Sequence, residues 1–291
     1  MTTPFTQRYW IAADGVRLAA RDYAAVGETG RLPVICLHGL TRNCRDFEDL
    51  APRIAETGRR VIAMDVRGRG LSGYDLDPTH YAPPFYAADV AGFAAALDAP
   101  RALVVGTSMG GLIAMTMAAF YPDYLAGALL NDIGPEIGLD GLKRISAYAG
   151  SGPSHFADWA AASDYARATN AAAFPDYGPE DWRKMATRIF RQTDKGLVLD
   201  YDPAIAEGFK TADPDAPPPD LWPLFDLLAK GRPLALCRGA TSDILEAQAV
   251  RRMALAAPHM LVAEVTGIGH APMLDEPEAL DLVFRFLQNA P

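Results

Sequence analysis

Apolar runs of four to six residues recur along the amino-terminal part of the chain, and each is followed by a stretch with helical character. A strand followed by a helix, repeated several times, is typical of βαβ units that build a parallel sheet. The runs are apolar throughout rather than alternating, as expected where helices cover both faces of a sheet. The predicted strands of this part are Pro33–Leu37, Arg60–Asp65, Ala102–Val105 and Ala126–Leu130.

This alternation of strands and helices stops at about Pro135 and resumes only after a turn-rich run at Asp213–Pro219. Between these points the sequence indicates helices and no strand, which predicts a helical insertion. Two further strands, a helix between them and a final helix return the chain to the sheet. We therefore expect a core at 1–134, a helical cap at 135–220 and the rest of the core at 221–291. The predicted helices of the cap are Leu139–Ala149, His155–Thr169 and Pro179–Gln192, and the later elements are Pro233–Cys237, Glu246–Ala256, Met260–Val265 and Pro277–Gln288.

Charge and hydropathy exclude several functional classes. The chain has 27 Lys and Arg against 36 Asp and Glu, a net charge of −9, so it offers no basic surface for nucleic acid. No apolar stretch approaches the length of a membrane span, and the amino terminus lacks a secretory pattern, so we expect a cytoplasmic protein without a membrane partner. Three cysteines without CxxC spacing indicate core packing, not a disulfide framework or zinc site. The sequence does not indicate an oligomeric state.

The run Gly106-Thr107-Ser108-Met109-Gly110 follows a predicted strand and opens a predicted helix. A Gly-x-Ser-x-Gly run in this context is a nucleophile elbow, in which the serine stands clear of the sheet on a strained turn. Glycine on either side removes side chains that would collide in so tight a turn. Ser108 is therefore the predicted nucleophile.

A serine hydroxyl needs a general base, normally a histidine that a carboxylate orients. His270 follows the last predicted strand and precedes the last helix, where a loop can carry it over the carboxyl edge of the sheet. Two aspartates fit the order Ser, Asp, His: Asp243, just past the strand Pro233–Cys237, and Asp132, at the end of an earlier strand. We favour Asp243, since Asp132 also fits a strand-end residue that closes the hinge of the cap.

The tetrahedral intermediate of acyl transfer requires two N–H groups directed at its oxyanion. The backbone of Met109, next to the nucleophile, is one predicted donor. The other is Leu40, where Gly39 would let the loop turn this N–H inward, and His38 would then be structural.

These residues resemble the α/β-hydrolase fold serine hydrolases. The resemblance rests on His38-Gly39, on the Asp65-Val-Arg67-Gly68-Arg-Gly70-Leu-Ser72 turn, on the elbow around Ser108, on Asp243 and on Gly269-His270. It covers the sheet-forming parts of the chain, whereas the insertion resembles only a generic helical cap. Serine at the elbow separates the chain from the epoxide hydrolases and haloalkane dehalogenases, which have aspartate there.

The resemblance is greatest to bacterial carboxylesterases, which implies hydrolysis of a small-molecule ester without a cofactor. Two alternatives stay open. One is C–C bond hydrolysis of aromatic ring-fission products, with Arg42 or Arg45 holding a substrate carboxylate. The other is a small-molecule receptor with little turnover. The expected substrate pocket lies between cap and core, where Trp159, Trp182 and Trp222, with Phe174 and Phe190, could line it, although packing explains these aromatics equally well.

The Gly68-Arg69-Gly70-Leu71-Ser72-Gly73 run matches a dinucleotide-binding pattern by letter. Nucleotide binding requires the last glycine to open a helix, but Tyr74–Pro78 reads as loop. No HExxH pattern or clustered ligand spacing indicates a metal. We therefore expect neither a nucleotide nor a metal.

Overall fold

The computed structural model describes residues 4–28, 30–99, 101–153, 155–208 and 219–291. Eight strands form one sheet, in the order β1-β2-β4-β3-β5-β6-β9-β10. All neighbouring strands in the part β4-β3-β5-β6-β9-β10 of this sheet are parallel. β2 pairs with β4 in the antiparallel direction. The strands are β1 (Thr6–Ile11), β2 (Arg17–Tyr23), β3 (Val34–Leu37), β4 (Val61–Asp65), β5 (Ala102–Thr107), β6 (Leu125–Asn131), β9 (Leu234–Gly239) and β10 (Leu261–Val265). The predicted strands all occur, and the sequence missed only β1 and β2 at the edge of this sheet.

Helices cover both faces of the sheet, as the uniformly apolar strands predict. On one face α1 and α9 bury aliphatic side chains against the strands, and α2, α3, α7 and α8 do so on the other. The central strands β3, β4, β5 and β6 have no exposed residue. The helices are α1 (Leu50–Ala55), α2 (Pro83–Ala96), α3 (Met109–Phe120), α4 (Leu139–Tyr148), α5 (Trp159–Asn170), α6 (Pro179–Ile189), α7 (Trp222–Ala229), α8 (Ala247–Ala256) and α9 (Pro277–Asn289). Within the described ranges, no helix has the length and apolar character required to cross a membrane.

The insertion between β6 and α7 contains α4, α5 and α6, as predicted, but it is not purely helical. Strands β7 (Phe190–Thr193) and β8 (Gly196–Leu199) form an antiparallel hairpin, so the prediction of no strand here is wrong. The helix expected to continue to Gln192 ends at Ile189, because Phe190 is extended and begins β7, where it pairs with Leu199 of β8. The Pro-rich run predicted at Asp213–Pro219 lies, apart from Pro219, outside the described residues.

Backbone hydrogen bonds attach the insertion to the core. The turn at 68–70 pairs with residues 200–202, where the N–H of Gly70 donates to the carbonyl of Asp200 and that of Asp202 to Gly68. On the other side, the N–H of Gly269 donates to the carbonyl of Ala173 over 2.7 Å. The insertion therefore lies over the carboxyl edge of the sheet, next to the loops that carry the predicted site residues.

Candidate active site

The strand-turn-helix around Ser108 has the predicted form. β5 ends at Thr107 and α3 begins at Met109. Ser108 between them has φ 51° and ψ −111°, a backbone conformation that costs free energy for any residue other than glycine. A Cβ at Gly106 would overlap the backbone of Gly110, and a Cβ at Gly110 would overlap the carbonyl of Leu37 in β3. Only glycine fits both positions, and the packing holds the Ser108 hydroxyl above the sheet.

His270 lies against this serine. Its Nε2 is 2.9 Å from Ser108 Oγ, and its side chain is almost completely buried. The loop that carries it is held by Gly269, which binds Ala173 of the insertion and packs on the end of β9 at Gly239. The structure thus brings together the predicted nucleophile and the predicted base, although they are far apart in the chain.

The carboxylate that binds and orients His270 belongs to Asp132. The prediction that Asp243 orients this histidine is therefore wrong. Nδ1 of His270 is 2.8 Å from Asp132 Oδ2. The carboxylate is fully buried and also accepts hydrogen bonds from the N–H of Gly239, at 2.8 Å, and the hydroxyl of Ser242, at 2.5 Å. Sequence reasoning did not identify Ser242, which supplies this contact from the loop expected to carry the acid.

Asp243 points away from His270 because the chain turns at Ser242, whose hydroxyl accepts the N–H groups of Ile244 and Leu245. Both carboxylate oxygens of Asp243 bind Arg144 of α4 at 2.7 Å. This hydrogen-bonded ion pair lowers the pKa of Asp243. Asp243 therefore joins the insertion to the core instead of orienting the histidine.

The two predicted oxyanion donors lie on either side of Ser108. Met109 begins α3, so no carbonyl lies one turn earlier in the helix to accept its N–H. The N–H of Leu40 donates to no backbone carbonyl among the described residues. A Cβ on Gly39 would lie 3.8 Å from Ser108 Cβ, so this loop passes directly beside the nucleophile. The sequence predicts that this turn requires the conformational freedom of Gly39. Gly39 does not have a positive φ, so the turn does not require glycine for that reason.

His38 is completely buried and holds the loop from behind. Its Nε2 accepts the N–H of Val66 at 3.1 Å, which leaves Nδ1 to donate to the Gly39 carbonyl at 2.7 Å. Burial lowers the pKa of His38 to about 4, so the ring is neutral near pH 7. Because a peptide unit is planar and trans, fixing the Gly39 carbonyl also fixes the opposite direction of the Leu40 N–H.

A cavity opens above Ser108, between these loops and the insertion. The predicted tryptophans do not line it. Trp182 belongs to the insertion's apolar cluster, with Trp159 at its margin, and Trp222 packs beside Phe225 and donates to Glu136. The apolar lining residues include Leu40, Phe47, Ile145, Phe174, Met185, Ile189, Leu199 and Met273, and the polar ones include Thr41, Arg42, Asp46, Tyr148, Tyr165, Thr169, Asn170 and Tyr201.

The charged groups of this lining neutralise each other. Arg42 binds Asp46 through Nε, at 2.9 and 3.1 Å, and through Nη2, at 2.5 Å. Arg45 does not line the cavity, since it binds the carbonyls of Arg188 and Phe190 and the carboxylate of Asp200. Neither arginine is therefore unpaired and directed at a substrate carboxylate.

Three tyrosines from the insertion line the same cavity. Tyr148 ends α4, Tyr165 lies on α5 and Tyr201 follows β8. Burial raises the pKa of Tyr201 to about 12, and the other two phenols interact with it. Burial also raises the pKa of Tyr148 and of Tyr165, so all three phenols are neutral at neutral pH. No motif marks them in the sequence, which is why sequence reasoning missed them.

Two features outside the cavity have structural explanations. No helix begins at Gly73, so the run that matches the dinucleotide-binding pattern lacks the helix terminus that would bind phosphate.

Possible metal ligands lie close together at Asp14, Asp75 and His80. The buried Arg67 guanidinium binds both carboxylates of this group, at 2.7 and 2.5 Å.

A mostly parallel sheet, a serine on a strand-turn-helix elbow and a histidine that faces this serine are typical of the alpha/beta hydrolase fold. The chain belongs to the alpha/beta hydrolase fold family, whose model matches residues 33–189. The chain is 34% identical over 264 residues, 88% of both chains, to the 3-hydroxybutyrate-oligomer hydrolase of Cupriavidus necator. It is 30% identical over 84% of both chains to the 2-(acetamidomethylene)succinate hydrolase of Mesorhizobium japonicum. An alpha/beta hydrolase from Novosphingobium aromaticivorans superposes with a TM-score of 0.90 at 42% identity, over 99% of both chains. These relationships make the protein a hydrolase.

Proposed function

We propose that this hydrolase is a serine esterase that cleaves small carboxylic esters through an acyl-enzyme on Ser108. The observation that carries the proposal is the continuous hydrogen-bonded chain Ser108–His270–Asp132, with contacts of 2.9 and 2.8 Å. Asp132 accepts a hydrogen bond from the Nδ1–H group of His270, which keeps that proton on Nδ1 and leaves the lone pair of Nε2 directed at the serine hydroxyl. This arrangement is the one required to remove the serine proton.

In the first half-reaction, Ser108 Oγ attacks the ester carbonyl carbon while its proton passes to His270 Nε2. The N–H groups of Leu40 and Met109 stabilise the tetrahedral oxyanion, and the N-terminal end of α3 adds positive potential there. The C–O bond of the ester then breaks, and the alcohol leaves with the proton from His270. In the second half-reaction His270 takes a proton from water, which attacks the acyl carbon, and the proton returns to Ser108 as the acid leaves.

The cavity supports a short, uncharged acyl group. Its only ionic pair, among the lining residues described, is closed on itself, so a charged acyl chain would lose hydration without gaining a partner. The tyrosines of the lining carry hydroxyl groups that can form hydrogen bonds with a hydroxyl on that chain. Together with the similarity to a 3-hydroxybutyrate-oligomer hydrolase, this favours esters of short hydroxy acids.

The two alternatives have less support. C–C hydrolysis of an acidic ring-fission product requires an arginine free to hold the carboxylate, whereas Arg42 binds Asp46 and Arg45 binds the insertion. A receptor with little turnover has no need of a buried Asp132 directed at His270.

A substrate panel tests the proposal. We expect wild-type protein to hydrolyse p-nitrophenyl acetate, p-nitrophenyl butyrate and ethyl 3-hydroxybutyrate, with kcat/KM falling for long acyl chains. Ser108→Ala should lower kcat by about 10³-fold or more while the chain stays folded. A vinylogous diketone acid as preferred substrate, or no turnover of any ester, would overturn the proposal.

A further inference from the structure

Arg69 is a buried cation without an anionic partner. Its side chain is 0% exposed, and in the described part of the chain no carboxylate lies within ion-pair distance of it. Its guanidinium donates to the carbonyls of Leu40, at 2.9 Å, and Arg67, at 2.8 Å, and to the hydroxyl of Tyr86, at 3.0 Å. It also lies 5.2 Å from the centre of the Tyr86 ring.

Removing a charge from water without a counter-ion costs several kcal/mol, and carbonyl and aromatic contacts offset only part of this. Arg67, two residues earlier, is buried in an ion pair with the carboxylate of Asp89, and this attraction offsets the cost of burying its charge. The position of Arg69 therefore needs another explanation.

The contacts of Arg69 converge on the two proposed oxyanion donors. Nε binds the Leu40 carbonyl, and Nη2 lies 3.5 Å from the sulfur of Met109. His38 holds the preceding carbonyl, that of Gly39. Both peptide units that flank Leu40 are thus fixed by hydrogen bonds, and the direction of its N–H is determined from both sides.

We propose that Arg69 is a positioning residue that keeps the oxyanion hole in its working shape and adds an uncompensated positive charge behind it. The proposal rests on the proposed function, since the oxyanion forms only when Ser108 attacks a carbonyl carbon. Arg69 acts through Leu40 and Met109 and does not touch the substrate. Its stabilisation is greatest when negative charge develops on the carbonyl oxygen, because a low-dielectric surrounding screens the charge poorly.

Arg69→Met tests this by removing the charge while retaining an unbranched side chain. We expect kcat for p-nitrophenyl acetate to fall about 100-fold, the scale of a lost oxyanion donor, with little change in KM. Affinity for a trifluoromethyl ketone, which forms an anionic hemiketal on serine, should fall in proportion. Arg69→Lys keeps a charge but reaches fewer acceptors, so we expect an intermediate loss in both quantities.

Arg59→Met is the matched control. Arg59 is 1% exposed and donates to the carbonyls of Leu32, Leu287 and Ala290 and to a main-chain oxygen of Pro291, remote from the site. Its loss should lower the melting temperature but leave kcat per folded molecule and ketone affinity unchanged. If the Met variant does not fold, the Arg69→Lys variant decides through the same two measurements.

Unchanged kcat and unchanged ketone affinity in the folded Arg69 variants would overturn the inference, and so would equal losses in Arg59→Met. Failure of the esterase proposal is distinguishable, because wild-type protein itself would then not hydrolyse the ester.

Discussion

Two aspartates at the same edge of the sheet have different tasks. Asp132 is fully buried with three hydrogen-bond donors, one of them His270, whereas the Asp243 side chain is 35% exposed and paired with Arg144. Asp132→Asn should lower kcat by about 10⁴-fold, because an amide can hold His270 in the wrong tautomer. Steady-state hydrolysis of p-nitrophenyl acetate checks this.

Asp243→Asn is the control for that variant. It breaks a partly exposed ion pair, so we expect a stability loss of at most about 1 kcal/mol and kcat within a few-fold of wild type. A severe loss in Asp243→Asn with a mild one in Asp132→Asn would reverse the assignment of the two acids.

His38 gives the protein a specific sensitivity to acid. With a folded pKa of about 4, below the ordinary value of 6.5, the unfolded chain binds this proton more readily than the folded one. Stability is therefore unaffected by His38 above pH 6.5 and is lost as the pH falls from there towards 4, by up to roughly 3 kcal/mol. Denaturant titrations at several pH values should show a steeper loss in this window for wild type than for His38→Asn. Parallel curves would show that protonation of His38 does not destabilise the fold in this window.

Ser108 and His270 were predictable because each has a strong local signal: a strand-turn-helix run with paired glycines, and a loop between the last strand and the last helix. The acid was not predictable. Asp132 and Asp243 both follow buried strands and both precede the histidine. The choice between them depends on the turn at Ser242, which involves contacts between β6 and β9 that no local pattern encodes.

At the scale of elements, the junction of β5 and α3 depends on backbone contact that excludes a side chain. Gly110→Ala would press a methyl group into the Leu37 carbonyl, so it should destabilise the fold by at least about 1–3 kcal/mol or prevent folding. At Gly39 the nearest atom to an added Cβ is Arg42 Cγ, at 3.6 Å, so Gly39→Ala should change stability little. Thermal unfolding of both variants decides, and equal losses would contradict the packing argument.

The insertion was the least predictable element. Its helices have helical periodicity in sequence, but the β7–β8 hairpin consists of strands of four residues each, too short for alternation to be distinguished from a helix end. Its tryptophans were expected at the cavity because aromatic residues line many ligand sites. Sequence alone could not show that Trp182 packs inwards while Tyr148, Tyr165 and Tyr201 face the cavity.

At the scale of the molecule, sheet edge and insertion together enclose a cavity whose charges cancel. Asp46→Asn would leave Arg42 with an unpaired charge in the lining. We expect the ratio of kcat/KM for p-nitrophenyl hemisuccinate to that for p-nitrophenyl butyrate to rise about tenfold, which corresponds to about 1.4 kcal/mol. The double variant with Arg42→Gln should return the ratio to the wild-type value. An unchanged ratio in Asp46→Asn would show that Arg42 does not reach the acyl group.

Reaction with a p-nitrophenyl alkylphosphonate, followed by peptide mapping, tests whether Ser108 forms a covalent intermediate. We expect one phosphonyl group per chain, carried by Ser108, with esterase activity lost in step with labelling. We also expect slow labelling in His270→Gln, because the serine proton then has no acceptor. Labelling of Ser72 or Ser242 in place of Ser108, or full labelling with activity retained, would contradict a covalent intermediate on Ser108.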